Sequence, residues 1–101
     1  KMIEKKTIID QIEITRNGTV QVRLGLLLVE DGTEIDSKWH RTAFPPGHDV
    51  AAQIAAVNEH LVQMGKTEVS VEDSARITTV CTQTWTPEVI AAYEATQGEP
   101  A

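Results

Sequence analysis

Four consecutive residues, Lys38, Trp39, His40 and Arg41, give this chain its most varied set of chemical groups. An aromatic platform, a titratable imidazole and a guanidinium stand side by side, and binding sites use all three. Successive side chains of a strand point to opposite faces, so alternation separates Trp39 and Arg41 from Lys38 and His40. We therefore predict that Trp39 lies in the core with Arg41 at its rim, and that His40 is solvated on the opposite face.

Three histidines, one cysteine and an aspartate are the remaining candidates for metal binding or catalysis: His40, His48, His60, Cys81 and Asp49. None has the short paired spacing, such as two histidines one helical turn apart, that preorganises a metal site. Cys81 with a distant histidine would make a nucleophile and its base, but its apolar, threonine-rich neighbours include no group that lowers a thiol pKa. The sequence therefore predicts no catalytic, cofactor or metal site, and places Cys81 in the core.

Length and charge narrow the function classes. With 101 residues and 41% hydrophobic content, the chain is expected to form a single small domain over residues 1–101. Its net charge of -6 argues against a nucleic-acid partner. A single cysteine allows no internal disulfide, which favours a reducing cytosol or a virion assembled there. No apolar run approaches the roughly 18 residues of a membrane span, so we expect no membrane association. Because Lys1 precedes Met2, we expect the natural chain to begin at Met2.

The first third of the chain has the pattern of a β-hairpin. Apolar and polar residues alternate at about residues 6–15 and again at 19–30, with an asparagine–glycine pair between them. A three-residue loop with Gly18 in the left-handed region pairs Ile14 with Val20. A two-residue turn would instead mix apolar and polar residues on one face, because a one-residue slip turns every side chain over. The three-residue loop is the prediction.

A second hairpin is predicted by Asp31-Gly32, a pair that favours a two-residue turn. This turn leads into a third strand at about residues 33–43 and places Leu24 opposite Trp39. The resulting sheet has one apolar face that other elements must cover, since each buried aliphatic side chain contributes about 1.5–3 kcal/mol. That face is predicted to hold Ile8, Ile12, Ile14, Val20, Val22, Leu24, Leu26, Leu28, Ile35 and Trp39.

The opposite face of the predicted sheet is mostly polar, and its few apolar residues indicate a partner surface. Either another molecule or a second helix of the same chain would cover them. Since closed dimers are the commonest way to bury such a patch, we expect a homo-oligomer. The candidate partner surface consists of Ile9, Leu27, Val29, Lys38, His40 and Arg41.

The second half of the chain is predicted to be helical. Asp49 can cap a helix over about residues 49–64, whose apolar residues recur at three- and four-residue steps, and Gly65 is placed to end it. This helix is the predicted cover of the apolar sheet face, where it would cross Val22 and Trp39.

The segment at about residues 71–83 has two interpretations. Its threonines favour a strand by propensity. Ser70 with Asp73 resembles a capping box, and an apolar stripe follows at helical spacing, so helix is the prediction.

Thr86-Pro87-Glu88 starts a last helix at about residues 87–96, and residues 97–101 are expected to fray. The predicted class is α+β, a three-stranded antiparallel meander covered by helices.

Three segments resemble a group of small, mostly uncharacterised bacteriophage and prophage proteins. They are KKTIIDQIEIT near the start, LLVEDGTEIDSKWHRTAFPPGHD in the centre and TWTPEVIAAYEA near the end, about half of the chain in the same order. The resemblance implies a phage or prophage origin and a small accessory role, often near tail or tail-fibre genes. It implies no catalytic residues, and the helix at 50–64 departs from the pattern of the group.

These observations support three hypotheses of different classes. The first is a non-enzymatic virion- or tail-associated protein that acts by protein–protein contacts, which the resemblance and two unpaired sheet edges favour. The second is an acidic host-takeover or anti-defence protein that binds a bacterial enzyme, which the net charge favours. The third is a small enzyme, which is the least favoured because the sequence has no catalytic constellation.

Overall fold

Three strands and three helices follow one another along the chain. The computed structural model describes residues 2–97, so Lys1 and residues 98–101, which make up most of the segment predicted to fray, lie outside the described residues. The elements are β1 (Ile3–Ile14), β2 (Val20–Glu30), β3 (Thr33–Phe44), α1 (Val50–Gln63), α2 (Val71–Thr84) and α3 (Pro87–Gln97). The strands form one antiparallel sheet in the order β1-β2-β3. The α+β class and the predicted meander are confirmed.

The first hairpin has the predicted register, with Ile14 opposite Val20. Gly18 makes this register possible, because its φ of +91° lies in the region that glycine enters without the steric cost of a Cβ. Gly18 is also buried under the last helix, and a Cβ there would lie 2.5 Å from Cγ1 of Val89. The loop therefore provides both the turn and a close contact with α3.

The second hairpin has the predicted two-residue turn, but a bulge at Ile35 follows it. Glu34 pairs with Val29 and Asp36 pairs with Leu28, so Ile35 is an extra residue of β3. One extra residue moves all the later side chains of a strand to the other face. Beyond Ile35, β3 therefore has the face assignment opposite to the predicted one.

Trp39 shows the consequence of this bulge. It pairs with Gly25, while His40 takes the predicted place of Trp39 opposite Leu24. The alternation that separates these two neighbours is as predicted, but the faces are exchanged. Trp39 is 52% exposed, so the prediction that it lies in the core is wrong.

A second bulge exchanges two residues of β1. Ile8 pairs with Gly25 and Ile9 pairs with Leu24, and Asp10 is the extra residue that restores the predicted register beyond it. Ile9 consequently packs against the core, whereas Ile8 is exposed on the other side of the sheet. The predictions that Ile8 faces the core and that Ile9 lies on the opposite face are therefore both wrong.

The core lies between one face of the sheet and helices α1 and α2. Four alternate residues of β2 face the helices, and Phe44 joins them from β3. Ile8, Ile14, Ile35 and Trp39, all predicted to be core residues, are exposed. The buried cluster consists of Val20, Val22, Leu24, Leu26, Phe44, Ile54, Val57, Leu61, Val69, Ile77 and Cys81. We call the sheet face opposite α1 and α2 the open face.

The helices begin at the predicted caps. The Asp49 carboxylate accepts from the backbone N–H of Ala52 at 3.0 Å, and the Ser70 hydroxyl accepts from that of Asp73 at 3.1 Å. The Thr86 hydroxyl accepts from its own helix in the same way. These caps satisfy N–H groups that a helix leaves unpaired at its start. The segment from Val71 is helix rather than strand, as predicted.

The loop between α1 and α2 crosses β1. Lys5 Nζ donates to the carbonyl of Gly65 at 3.0 Å, and the Thr67 hydroxyl donates to the carbonyl of Lys5 at 3.0 Å. A further hydrogen bond, from the N–H of Val69 to Asn58 Oδ1 at 2.8 Å, holds the loop against α1. Part of β1 is thereby covered by its own chain.

The last helix is attached to the loops at one end of the sheet. The indole N–H of Trp85 donates to the carbonyl of Gly18 at 2.7 Å, and Val89 lies against the same glycine. A Cβ at Gly47 would lie 3.2 Å from Ile90. The position of α3 therefore depends on two glycines that have no side chain to obstruct it.

Substitution of Gly18 by alanine tests this dependence. Gly18→Ala should destabilise the protein more than Gly32→Ala by about 1–3 kcal/mol, since only the first adds overpacking. Gly32 is the matched control, because it also has a positive φ, of +83°, but no atom within 4 Å of the added Cβ. Urea denaturation measures both. Equal decreases in the free energy of unfolding of the two variants would contradict the packing of α3 on Gly18.

Candidate interaction surface

A row of three residues crosses the open face, one from each strand. Ile8 and Trp39 pair with Gly25 from its two sides. A Cβ at Gly25 would lie 3.2 Å from Cγ1 of Ile8 and 3.4 Å from Cζ3 of Trp39. The missing side chain lets both neighbours close over the backbone of β2. Gly25 is thereby buried, although it lies on the face opposite α1 and α2.

Arg23 lies beside this row and is held from two directions. Its guanidinium carbon is 4.9 Å from the centroid of the Trp39 ring, a cation–π distance. Its Nε and Nη2 groups donate to one carboxylate oxygen of Asp10, at 2.7 Å and 2.6 Å. The bulge of β1 brings Asp10 into this position. Because the pair is partly exposed, we expect it to orient Arg23 more than to stabilise the fold.

These five residues, Ile8, Asp10, Arg23, Gly25 and Trp39, are called the Trp39 cluster from here on. Trp39 is 52% exposed and Ile8 is 38% exposed. The cluster therefore presents apolar surface and a fixed cation together. Tryptophan and arginine are the side chains most enriched where protein partners bind tightly.

A second arginine, Arg41, lies next to Arg23 on the open face. Arg41 pairs directly with Arg23 across the β2–β3 ladder, and like charges in this arrangement repel. Asp10 offsets one of the two charges. A depression of about 420 Å³ lies here, and Arg41 lines it together with Gln11, Glu13 and Gln21. A carboxylate from another molecule would be attracted to Arg41 in addition to Glu13, whose carboxylate belongs to the same depression.

The predicted partner residues are distributed over both sides of the sheet. Arg41 and the half-buried Leu27 belong to the open face. Val29 is only 7% exposed, and Ile9 packs against the core. Lys38 and His40 pair with Leu26 and Leu24 and so lie on the helix side. The structure therefore brings no more than two of the six together on the open face.

His40 contacts α1 rather than the open face. Its ring centroid is 5.2 Å from that of His60, and the side chain of Gln53 donates to the Thr42 hydroxyl at 3.0 Å nearby. Burial, and secondarily the proximity of His60, lower the pKa of His40. These polar contacts join β3 to α1, in a place where the sequence predicted a solvated imidazole.

Cys81 lies in the core, as predicted, and burial raises the pKa of its thiol to about 11. The thiol is therefore protonated at neutral pH and is a poor nucleophile. Within residues 2–97 no three metal-ligating side chains come together. Among the helices that the structure describes, none is long and apolar enough to span a membrane.

Four members of the Trp39 cluster were missed from the sequence as surface residues: Ile8, Asp10, Gly25 and Trp39. Two features of the sequence pointed to Ile8, Asp10 and Gly25. The adjacent pair Ile8-Ile9 breaks the alternation of β1, which is typical of a bulge. A glycine inside a strand often marks a close approach of other groups to the backbone.

Comparisons with protein-family models, with curated proteins and with solved structures each gave no match to this chain.

The exposure of Trp39 predicts a small effect on stability. Trp39→Ala should cost about 1 kcal/mol, chiefly from lost contacts with Arg23 and Gly25. Phe44→Ala is the control, since this aromatic residue is buried and should cost about 3–5 kcal/mol. Chemical denaturation measures both. A loss for Trp39→Ala as large as that for Phe44→Ala would contradict its place on the open face.

The lowered pKa of His40 predicts a loss of stability in acid. The unfolded chain binds a proton near the ordinary histidine pKa of about 6.5, whereas the folded protein resists it. The free energy of unfolding should therefore fall as the pH drops below about 6.5.

His40→Gln should reduce this dependence on pH, measured by denaturation between pH 5 and pH 8. His48→Gln is the control, because His48 contacts Tyr93 instead. If the free energy of unfolding of the His40→Gln variant depends on pH as strongly as that of the wild type, burial of His40 against α1 is not the cause of the pH dependence.

Proposed function

We propose that this chain is a small non-enzymatic accessory protein of phage or prophage origin, associated with the virion or its tail, which acts by protein–protein contacts through the open face. The Trp39 cluster is the observation that carries the proposal. An exposed tryptophan that is packed on a glycine and flanked by an oriented arginine has little conformational freedom to lose on binding. The resemblance to phage proteins supports the origin and the accessory role.

The chemistry of the cluster indicates the kind of partner surface that fits it. The Trp39 ring and Ile8 offer apolar area for an aliphatic or aromatic side chain of the partner. Arg41 favours a carboxylate beside it, since a guanidinium binds a carboxylate with two parallel hydrogen bonds and that of Arg23 is already bonded to Asp10. The partner is therefore a protein surface that combines an apolar side chain with an acidic one.

The net charge of the chain makes the binding of an acidic partner more selective for the open face. With a net charge of -6, most of the molecule repels an acidic partner at long range. Arg41 attracts such a partner on the open face. Complementary charges of this kind fix orientation and exclude wrong partners more than they add affinity.

Purified particles of the phage that carries the gene test the proposal. Mass spectrometry should detect the wild-type chain in the particles, and Trp39→Ala should lower its amount by about tenfold or more, the loss typical of a binding hot spot. Val71→Ala is the control, because Val71 is 82% exposed on α2, away from the open face. Its amount should equal that of the wild type.

Two results would contradict the proposal. Absence of the wild-type chain from purified particles would reject the virion association. Equal amounts of the Trp39→Ala and wild-type chains in the particles would reject the open face as the binding surface. Denaturation of the purified variant shows beforehand that it is folded.

A further inference from the structure

The first half of β3 is an exposed sheet edge. Thr33, Glu34, Ile35, Asp36, Lys38 and Trp39 are all exposed, and Ser37 is half-buried. Helix α1 reaches β3 only farther along, at His40 and Thr42. Among the described residues, no segment other than β2 gives this stretch a backbone hydrogen bond. The opposite edge differs, because the α1–α2 loop bonds to Lys5 of β1.

We propose that this edge pairs with the same edge of a second copy of the chain, antiparallel and centred on Ser37. Side chains opposite each other on antiparallel strands share a face, so the two-fold axis must pass through a pair of identical residues. With Ser37 on the axis, Asp36 faces Lys38 of the second copy, and Lys38 faces its Asp36. Ile35 and Trp39, which are 49% and 52% exposed, face each other in the same way.

The charges select this register over its neighbours. A shift of one residue in either direction places Asp36 against Asp36 or Lys38 against Lys38 on the axis. Like charges directly opposite are destabilising. A shift that centres the pair on Trp39 places Lys38 against His40 and Ser37 against Arg41, with no opposite charges. Only the Ser37 register pairs both charges and both exposed apolar side chains.

Charged residues and bulges, which usually protect an edge strand from pairing with another chain, limit the length of this pairing but do not prevent it. In the Ser37 register, Lys38 lies opposite Asp36 of the second copy. Its positive charge therefore disfavours other registers but not this one. The bulge at Ile35 and the contact of α1 with His40 bound the ladder on its two sides. A short ladder predicts a dimer whose population depends on concentration.

The inference goes beyond the proposed function and does not depend on it. Pairing of the two edges would join two three-stranded sheets into one of six strands. A two-fold axis perpendicular to the sheet would place both Trp39 clusters on the same side. An external partner with two equivalent sites would then meet both clusters at once, which raises avidity without new contacts.

Site-specific cross-linking tests the register. Ser37→Cys should form a disulfide-linked dimer on mild oxidation, because paired Cα atoms about 4.5–5.5 Å apart are within the reach of a disulfide. The native Cys81 is fully buried and should not react. Thr33→Cys is the matched control on the same exposed edge, because the two cysteines would be about 27 Å apart along the ladder. It should stay monomeric on a non-reducing gel.

Charge exchange tests the pairing of Asp36 with Lys38. Lys38→Asp should weaken the dimer by about tenfold in sedimentation, because it creates two like-charge pairs. The double variant Asp36→Lys/Lys38→Asp should restore the wild-type dimer.

Three outcomes would overturn the inference. The first is a wild-type mass that stays at the monomer value of 11.1 kDa at all concentrations. The others are equal cross-linking of the Ser37→Cys and Thr33→Cys variants, and a double variant that dimerises no better than Lys38→Asp.

Discussion

The strict alternation of β2 is the constraint on which the rest of this structure depends. Val20, Val22, Leu24 and Leu26 are the main contribution of the sheet to the core, and helices α1 and α2 bury all four. A shift of β2 by one residue would expose this whole set and bury Arg23 in its place. Both neighbouring strands must therefore fit to β2, and each does so with one extra residue, Asp10 in β1 and Ile35 in β3.

The two bulges give the open face its chemical character. The bulge in β1 places Ile8 beside Gly25 and leaves Asp10 in contact with Arg23. The bulge in β3 places Trp39 on the other side of the same glycine. A sheet with uninterrupted pairing would have buried both apolar side chains and left a largely polar surface. The two bulges thus bring the members of the Trp39 cluster together. Bulges elsewhere commonly redirect side chains near functional sites.

The parts of the fold that could be predicted from the sequence are governed by neighbouring residues. Asn17-Gly18 and Asp31-Gly32 determine their turns through the backbone freedom of glycine. Asp49, Ser70 and Thr86 determine the helix starts, because each side chain satisfies a nearby backbone N–H. These features need no knowledge of the rest of the molecule.

The bulge of β3 could not be predicted in this way, because the contacts that accompany it are distant in sequence. For β3, the hydrophobic pattern favours Trp39 in the core. The observed register instead places His40 and Thr42 toward α1, where they contact His60 and Gln53. These contacts with α1 distinguish the observed register from the predicted one. The candidate site was missed for the same reason, although Gly25 within β2 indicated a close approach.

The central claim is that Trp39 lies on the open face. Nuclear Overhauser contacts of its indole ring measure this position directly. With Trp39 on the open face, its ring should show contacts to the α protons of Gly25 and to the methyl groups of Ile8, and its indole N–H should exchange rapidly with water. Contacts from the Trp39 ring to the methyl groups of Ile54 or Leu61 in α1 would contradict the account, because they would place the side chain in the core.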